Sequence, residues 1–249
     1  MGETEWLLAA LFLAVATLYS SVGHAGASGY IAAMALLGFA PEQVRPTALA
    51  LNLLVGGIGL FRFRREGHVR WRNVLPFVLA SAPAAFLAAR VQLPGDAFSM
   101  LLGAILAVAA LGVFRHAPRA ELEDAQAAGR RVPWLAALAA GAAIGVLSGL
   151  TGTGGAIFLT PLLLFAHWMP TRQASGTSVA FVWINSLTAL AGLWSTGASL
   201  PAALPWWLAA VAAGALLGTQ LGLKWLPVHM LRRALGLVLL VAAAKLLFF

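Results

Sequence analysis

Long apolar runs, separated by short polar connections, dominate the chain. A helix rises about 1.5 Å per residue and needs roughly 20 apolar residues to cross a bilayer. Two further apolar pieces, 27–40 and 155–169, are shorter and have the length of re-entrant or broken helices. The pattern therefore predicts an all-α polytopic membrane protein. The predicted spans lie near residues 5–22, 46–61, 73–92, 97–114, 133–150, 174–195, 201–223 and 230–249.

The apolar pattern repeats at an offset of about 130 residues. Thr47 is matched by Thr177, and Gly67 is matched by Gly197. Each half contains four long runs and one short run, and a glycine-rich stretch precedes the short one. We therefore predict two repeats of about five helical segments each, with one short or broken helix per repeat. The predicted organisation is a first transmembrane repeat at 1–115, a linker at 116–131 and a second repeat at 132–249.

Basic residues in the connections indicate how each repeat is oriented. Connection 62–72 contains five Arg, whereas its counterpart at 195–201 contains no basic residue. Lys and Arg concentrate in cytoplasmic connections, so these two connections should face opposite sides of the membrane. The repeats are therefore predicted to have inverted topology, with a cytoplasmic linker and both termini outside.

Composition excludes several classes of protein. The chain is 61% hydrophobic and 10% charged, against about 25% charged in a typical soluble domain. It has no cysteine and no acidic residue after Asp124, which excludes thiolate chemistry and, in the second half, carboxylate pairs. The net charge of +8 comes mostly from connections, the pattern of a membrane protein, so the bilayer is the expected partner and nucleic acid is not. We expect no metal, no cofactor and no catalytic residues.

Two glycine-rich stretches carry the first set of candidate binding residues. Each stretch precedes a short helix, whose N-terminal amides and partial positive charge attract anions. Close packing of small residues between helices is the alternative interpretation. The candidates are Gly23, His24, Gly26 and Ser28 in the first half, and Thr151, Gly152, Thr153, Gly154 and Gly155 in the second.

A second set of polar residues follows each short helix. Asn52 and Asn185 lie within apolar spans, where an amide is retained either to bond a neighbouring helix or to contact a substrate. Arg45 and Arg172 lie at span ends, where snorkelling to the headgroups is favoured over guiding an anion inward. The candidate substrate-binding residues of this set are Thr47, Asn52, Gly176, Thr177, Ser178 and Asn185.

Two motifs of the second half carry a family resemblance. They are GLTGTGGAIFLTPLLLF at 149–165 and MPTRQASGTSVAF at 169–181, and the first half contains a weaker copy without a proline corresponding to Pro161. The chain resembles the sulfite exporter TauE/SafE family of bacterial membrane transporters over nearly its whole length. The resemblance implies transport of sulfite, sulfonates or sulfoacetate-like anions across the inner membrane. It maps the family motif onto Gly23, Gly26, Thr47, Gly152, Gly154, Gly155, Pro161, Gly176, Thr177 and Ser178.

The expected function is secondary transport of a small sulfur-containing anion by alternating access. No Walker-type nucleotide motif occurs, so an ion gradient, the membrane potential or the substrate gradient would supply the energy, with a proton or sodium ion as a possible coupling partner. The alternatives are a carrier of another small anion, a sodium-coupled carrier, and an intramembrane serine protease, because Gly26-Ala27-Ser28-Gly29 fits a G-x-S-G pattern. The sequence leaves the anion, the direction of transport and the oligomeric state open.

Overall fold

A computed structural model describes residues 2–21, 25–115, 132–222 and isolated positions between 237 and 247. All of the regular secondary structure in these residues is helical. Gly23, His24, the linker at 116–131 and most of the predicted span 230–249 lie outside the described residues. The predicted all-α fold class is confirmed.

The helices coincide closely with the predicted apolar runs. Five of those described, α1, α3, α4, α6 and α8, are long and apolar enough to cross a bilayer. Helix α3 starts earlier than its apolar run, because Pro41 suits a first helical turn, whose N–H groups have no partner within the helix. In chain order the helices are α1 (Glu3–Ser21), α2 (Ala27–Leu36), α3 (Pro41–Arg65), α4 (Trp71–Ala89), α5 (Gly95–Arg115), α6 (Trp134–Thr151), α7 (Ala156–Phe165), α8 (Thr171–Trp194) and α9 (Leu204–Gly222).

The short helices α2 and α7 follow the same backbone path in the two halves. Each has 10 residues and starts after a left-handed glycine, Gly26 with φ 90° and Gly155 with φ 91°. A left-handed residue also follows each helix, Gly38 with φ 76° and His167 with φ 51°. These turns stop both helices after about 15 Å, half the thickness of the hydrocarbon core.

Helices α3 and α8 pack against each other in opposite directions. At one end, the carbonyl of His68, just after α3, lies against Gly176 near the start of α8. At the other end, Pro41 at the start of α3 and Thr196 just after α8 line the same cavity. Connections 66–70 and 195–201 therefore lie at opposite ends of this pair. Oppositely oriented halves require this arrangement, although the direction in which either half crosses a membrane stays a prediction.

Glycines bring three further pairs of described helices into backbone contact, one of them α4 and α8, where Gly192 lies against the carbonyl of Phe86. A Cβ on Gly145 of α6 would lie 2.5 Å from the carbonyl oxygen of Ser81 on α4, and Gly214 and Gly218 of α9 meet carbonyls of α1 equally closely. Small residues permit this close approach in membranes, where van der Waals packing holds helices together. The α4–α6 and α1–α9 pairs each join one helix from each half. Helices α3 and α8 lie between them, since α8 contacts α4 and α3 contacts α9.

Candidate anion-binding site

The chain reverses between α6 and α7 in a turn built on glycines. Gly152, Gly154 and Gly155 have φ values of 78°, 73° and 91°, a left-handed conformation that costs other residues about 1–2 kcal/mol. No side chain caps the start of α7. The first amides of a helix have no partner within it and carry partial positive charge. We call residues 152–155 the glycine turn.

Three buried polar side chains surround the glycine turn. A Cβ on Gly154 would lie 2.7 Å from the amide nitrogen of Asn52 on α3 and 3.0 Å from the hydroxyl of Ser186 on α8. A Cβ on Gly155 would lie 3.6 Å from the amide nitrogen of Asn185. All three side chains are fully buried, and none of their nitrogen or oxygen atoms has a hydrogen-bond partner.

Unpaired buried groups are rare in folded proteins, since each costs about 1–3 kcal/mol. Hydroxyls elsewhere in the described residues, those of Ser81, Ser148 and Thr160, also lack a partner, but the glycine turn has three unpaired side chains next to it. The side chains of Asn52 and Asn185 do not make the bond between helices that one of their two interpretations requires. Two amides and a hydroxyl thus lie beside the start of α7.

The two threonines of the second glycine-rich stretch are already paired. Thr151 donates to the carbonyl of Leu147 at 2.6 Å, and its hydroxyl lies 3.1 Å from that of Thr153. Both side chains are buried beside the glycine turn. These hydroxyls stabilise the end of α6, whereas the amides of Asn52 and Asn185 are free to bond a ligand.

Within the motif Gly176-Thr177-Ser178, the first two residues contact residues outside the glycine turn. A Cβ on Gly176 would lie 2.6 Å from the carbonyl oxygen of His68, so this glycine allows connection 66–70 to pack directly against α8. Thr177 donates its hydroxyl to the sulfur of Met169 at 3.4 Å. Thr177 precedes Ser186 by nine residues, or about 14 Å along α8. Substrate contact by this motif stays a prediction.

Two more predicted hydroxyls are buried without a partner. They belong to Thr47 on α3 and Ser178 on α8. Thr47 lies two residues after Arg45, whose Cα is next to Gly152, and Ser178 lies four residues, or about 6 Å, before Val182, whose side chain is next to Gly154. Both hydroxyls therefore lie within about one helical turn of residues that contact the glycine turn.

The described part of the first-half stretch is filled by tyrosines. The hydroxyls of Ser28 and Tyr19 share a hydrogen bond of 2.5 Å. A Cβ on Gly26 would lie 2.8 Å from the hydroxyl of Tyr30, whose ring packs edge-on against Phe12 with centroids 5.4 Å apart. A serine nucleophile needs an adjacent base, and Ser28 is paired with a phenol instead, which does not support a protease.

The prediction that Arg45 snorkels to the headgroups is wrong. Its side chain is 5% exposed and donates to the carbonyls of Ala89 and Gly149 at 2.8 Å each, and to that of Val91 at 3.1 Å. These carbonyls lie at the ends of α4 and α6, where unpaired acceptors and the helix dipoles attract a cation. Arg172, in contrast, is exposed.

Sequence reasoning missed Ser186 and the role of Arg45. Ser186 directly follows Asn185 in an apolar run, and that polar pair is the signal that could have indicated it. Serine alone is common in membrane helices as a packing residue, so it gives little indication by itself. The three acceptors of Arg45 come from distant positions, so the sequence around Arg45 does not reveal them.

Known proteins similar to this chain identify its family. The family model described as Sulfite exporter TauE/SafE matches residues 7–246. The chain belongs to this family. A "Probable membrane transporter protein y4hK" from Sinorhizobium fredii is 44% identical over 246 residues, covering 98% of this chain and 99% of that protein.

A more distant TauE/SafE relative matches as well. A "Probable membrane transporter protein" from Xylella fastidiosa is 30% identical over 183 residues, covering 72% of this chain and 69% of that protein. No solved structure matches the chain. The family and the apolar helices together identify a multi-pass membrane protein of transporter type, and bacterial relatives are consistent with the inner membrane.

Proposed function

We propose that this TauE/SafE protein is a secondary transporter that binds one small sulfur-containing anion, such as sulfite or a sulfonate, at the glycine turn. The observation that carries the proposal is the set of unpaired, fully buried groups on Asn52, Asn185 and Ser186. Anion oxygens accept hydrogen bonds from the two amide nitrogens, from the serine hydroxyl and from the first amides of α7. The bound anion thereby removes the cost of leaving these donors unpaired.

The chemistry of the turn favours an anion over a cation. The start of α7 contributes partial positive charge, and the chain has no acidic residue after Asp124. The amide oxygens of Asn52 and Asn185 are unpaired too, and they are suitable ligands for a coupling sodium ion. Sodium coupling is therefore a second possibility at the same place.

Alternating access would expose this turn to each side of the membrane in succession. The proposed topology has inverted repeats at 1–115 and 132–249 with a cytoplasmic linker at 116–131, and the antiparallel packing of α3 and α8 supports it. Because glycine contacts join α4 to both α6 and α8, and join α1 to α9, we expect α4, α6 and α8 to move as one unit and α1 and α9 as another. The movement would then occur where α3 meets α8.

The membrane potential is sufficient to drive export of an anion. An inside-negative potential contributes about 2.3 kcal/mol per charge per 100 mV. Uncoupled export is therefore feasible, whereas uptake would require a coupled proton or sodium ion.

A ligand screen on purified protein tests the proposal. We expect sulfite and methanesulfonate to raise the melting temperature and to support counterflow in proteoliposomes, with acetate and phosphate as comparison anions. Each measurement is made with and without sodium, so that coupling is tested together with binding. Binding of neither sulfur anion would contradict the proposal. Tighter binding of acetate or phosphate would favour a carrier of another small anion.

A further inference from the structure

A cavity of about 280 Å³ opens at one end of the helix bundle. Its walls are the start of α3, connection 90–94 after α4, Phe98 of α5, and connection 195–201 after α8. Gln92 and Ser199, which lie on different walls, are exposed. The lining contains one acidic residue, the exposed Glu42, and one basic residue, the buried Arg45. We call this cavity the vestibule.

Arg45 connects the vestibule to the glycine turn. It lines the vestibule, and a Cβ on Gly152 would lie 3.0 Å from its Cα and 3.1 Å from its carbonyl oxygen. Gly152 is the first residue of the turn in which Gly154 faces Asn52. Arg45 and Gly152 therefore lie in contact between the vestibule and the glycine turn.

The opposite end of the central helix pair is closely packed in this conformation. There, connection 66–70 lies on α8, with the carbonyl of His68 against Gly176. This contact leaves no room for a side chain at position 176. The described residues thus combine a cavity beside connection 195–201 with a closed contact beside connection 66–70.

Arg45 is also equipped to bind an anion. Its two terminal nitrogens donate to three carbonyls, but its Nε is buried without a partner. A carbonyl oxygen carries only a partial negative charge, whereas an oxyanion carries a full one and can accept two hydrogen bonds from a guanidinium at once. Water and salt screen the exposed carboxylate of Glu42 more than they screen the buried Arg45. An anion at the base of the vestibule would therefore compete for the guanidinium with the ends of α4 and α6.

We propose that the vestibule is the route by which the anion reaches the glycine turn, and that Arg45 attracts the anion at its base and releases it past Gly152. This inference rests on the proposed anion transport. It identifies the conformation as open towards connection 195–201. It also assigns Arg45 a role in substrate access in addition to its bonds to helix ends.

Charged labels on single cysteines test the vestibule. The sequence contains no cysteine, so each introduced thiol is unique. Ser199→Cys and Gln92→Cys place a thiol on different walls, and Ala202→Cys provides an exposed matched control that does not line the cavity. An anionic maleimide is suitable because its thioether resists sulfite, and methanesulfonate counterflow is the readout. Mass spectrometry verifies complete labelling before flux is measured.

The expected result is a loss of flux only for labels in the vestibule. Labelling of Ser199→Cys and of Gln92→Cys should each lower counterflow about tenfold or more, and saturating methanesulfonate should slow labelling. Labelled Ala202→Cys should transport like unlabelled protein. If the two vestibule variants bind and carry methanesulfonate but labelling leaves their flux unchanged, the vestibule proposal is overturned and anion transport stands. If the unmodified protein neither binds nor carries an anion, both proposals are overturned.

A substitution of Arg45 tests its part separately. Arg45→Lys retains the charge and Arg45→Gln removes it, and both lose part of the carbonyl bonding. If Arg45 attracts the anion, Arg45→Gln should raise the KM for flux much more than Arg45→Lys does, at similar melting temperatures. Equal KM values in the two variants would show that Arg45 only stabilises the helix ends.

Discussion

Helices α2 and α7 begin in the same way but meet different surroundings. Gly26 and Gly155 share one left-handed conformation, and both helices have 10 residues. At the first, Tyr19 bonds Ser28, while the hydroxyl of Tyr30 lies next to Gly26 and has no hydrogen-bond partner. At the second, two amides and a serine hydroxyl are buried without partners. Among the described residues, the same backbone design therefore brings one unpaired hydroxyl to the first helix start and three unpaired side chains to the second.

The difference supports the second helix start as the place of the proposed anion site. The hydrogen bond between Tyr19 and Ser28 and the edge-on contact of the Tyr30 ring with Phe12 stabilise the first region. Each unpaired group at the second costs about 1–3 kcal/mol without a ligand. Such a cost is typical of a binding site, in which groups are held ready for a ligand rather than for each other.

The largest expected effect comes from blocking the glycine turn. We expect Gly154→Leu to reduce anion binding and flux about 100-fold or more, because its side chain would displace Asn52 and Ser186 and remove two charge-assisted bonds of about 1.5–3 kcal/mol each. Isothermal titration calorimetry and counterflow measure the two quantities.

Gly38→Leu is the matched control for this substitution. Gly38 has nearly the same left-handed backbone, with φ 76°, but a Cβ there would meet no atom within 4 Å. Backbone strain should lower the stability of Gly38→Leu by about 1–2 kcal/mol, and its anion flux should equal that of the unsubstituted protein. Normal flux in Gly154→Leu would exclude the glycine turn as the binding site.

Asn52→Leu should have a smaller effect on anion binding, and it should change binding and stability in opposite directions. Loss of one bond to the anion should weaken binding about 10- to 100-fold. The ligand-free protein should become more stable by about 1 kcal/mol or more, because a buried unpaired amide is removed. Thermal melting with and without methanesulfonate measures both.

Ser81→Ala serves as the control for Asn52→Leu. The hydroxyl of Ser81 is also buried without a partner, but it lies on α4 opposite Gly145, which is seven residues before Gly152. Removing it should leave anion affinity unchanged. A fall in stability in Asn52→Leu without any change in affinity would show that the amide joins helices instead.

The smallest effect on transport is expected in the first half. Tyr19→Phe should cost about 1–2 kcal/mol of stability, because the hydroxyl of Ser28 loses its partner. Flux in counterflow assays should change less than about twofold, since the anion site does not include this pair. A loss of binding as large as that expected for Asn52→Leu would mean that the two regions are functionally equivalent.

The backbone of this protein was largely predictable from its sequence. Apolar run length placed the long helices, and the two glycine-rich stretches correctly indicated where α2 and α7 begin. The boundary of α3 was less predictable, because the helix continues from Pro41 through Arg65 beyond its apolar run. Length and glycine are local signals, so they appear directly in the sequence.

Side-chain partners were much less predictable, because packing between distant helices decides them. In a membrane helix nearly every position is apolar, so periodicity does not reveal which face is buried. Ser186 meets Gly154, and Arg45 bonds Gly149, across more than 30 and 100 positions respectively. The pairing of Tyr19 with Ser28 likewise depends on how α1 packs against α2.

The most direct test of the anion site is anomalous X-ray scattering from crystals grown with selenite, a heavier analogue of sulfite. We expect one selenium peak per chain, beside Gly154 and Gly155, within hydrogen-bond distance of the amide of Asn52 and the hydroxyl of Ser186. A selenium peak beside Gly26 and Ser28, with none at the glycine turn, would contradict anion binding at the turn.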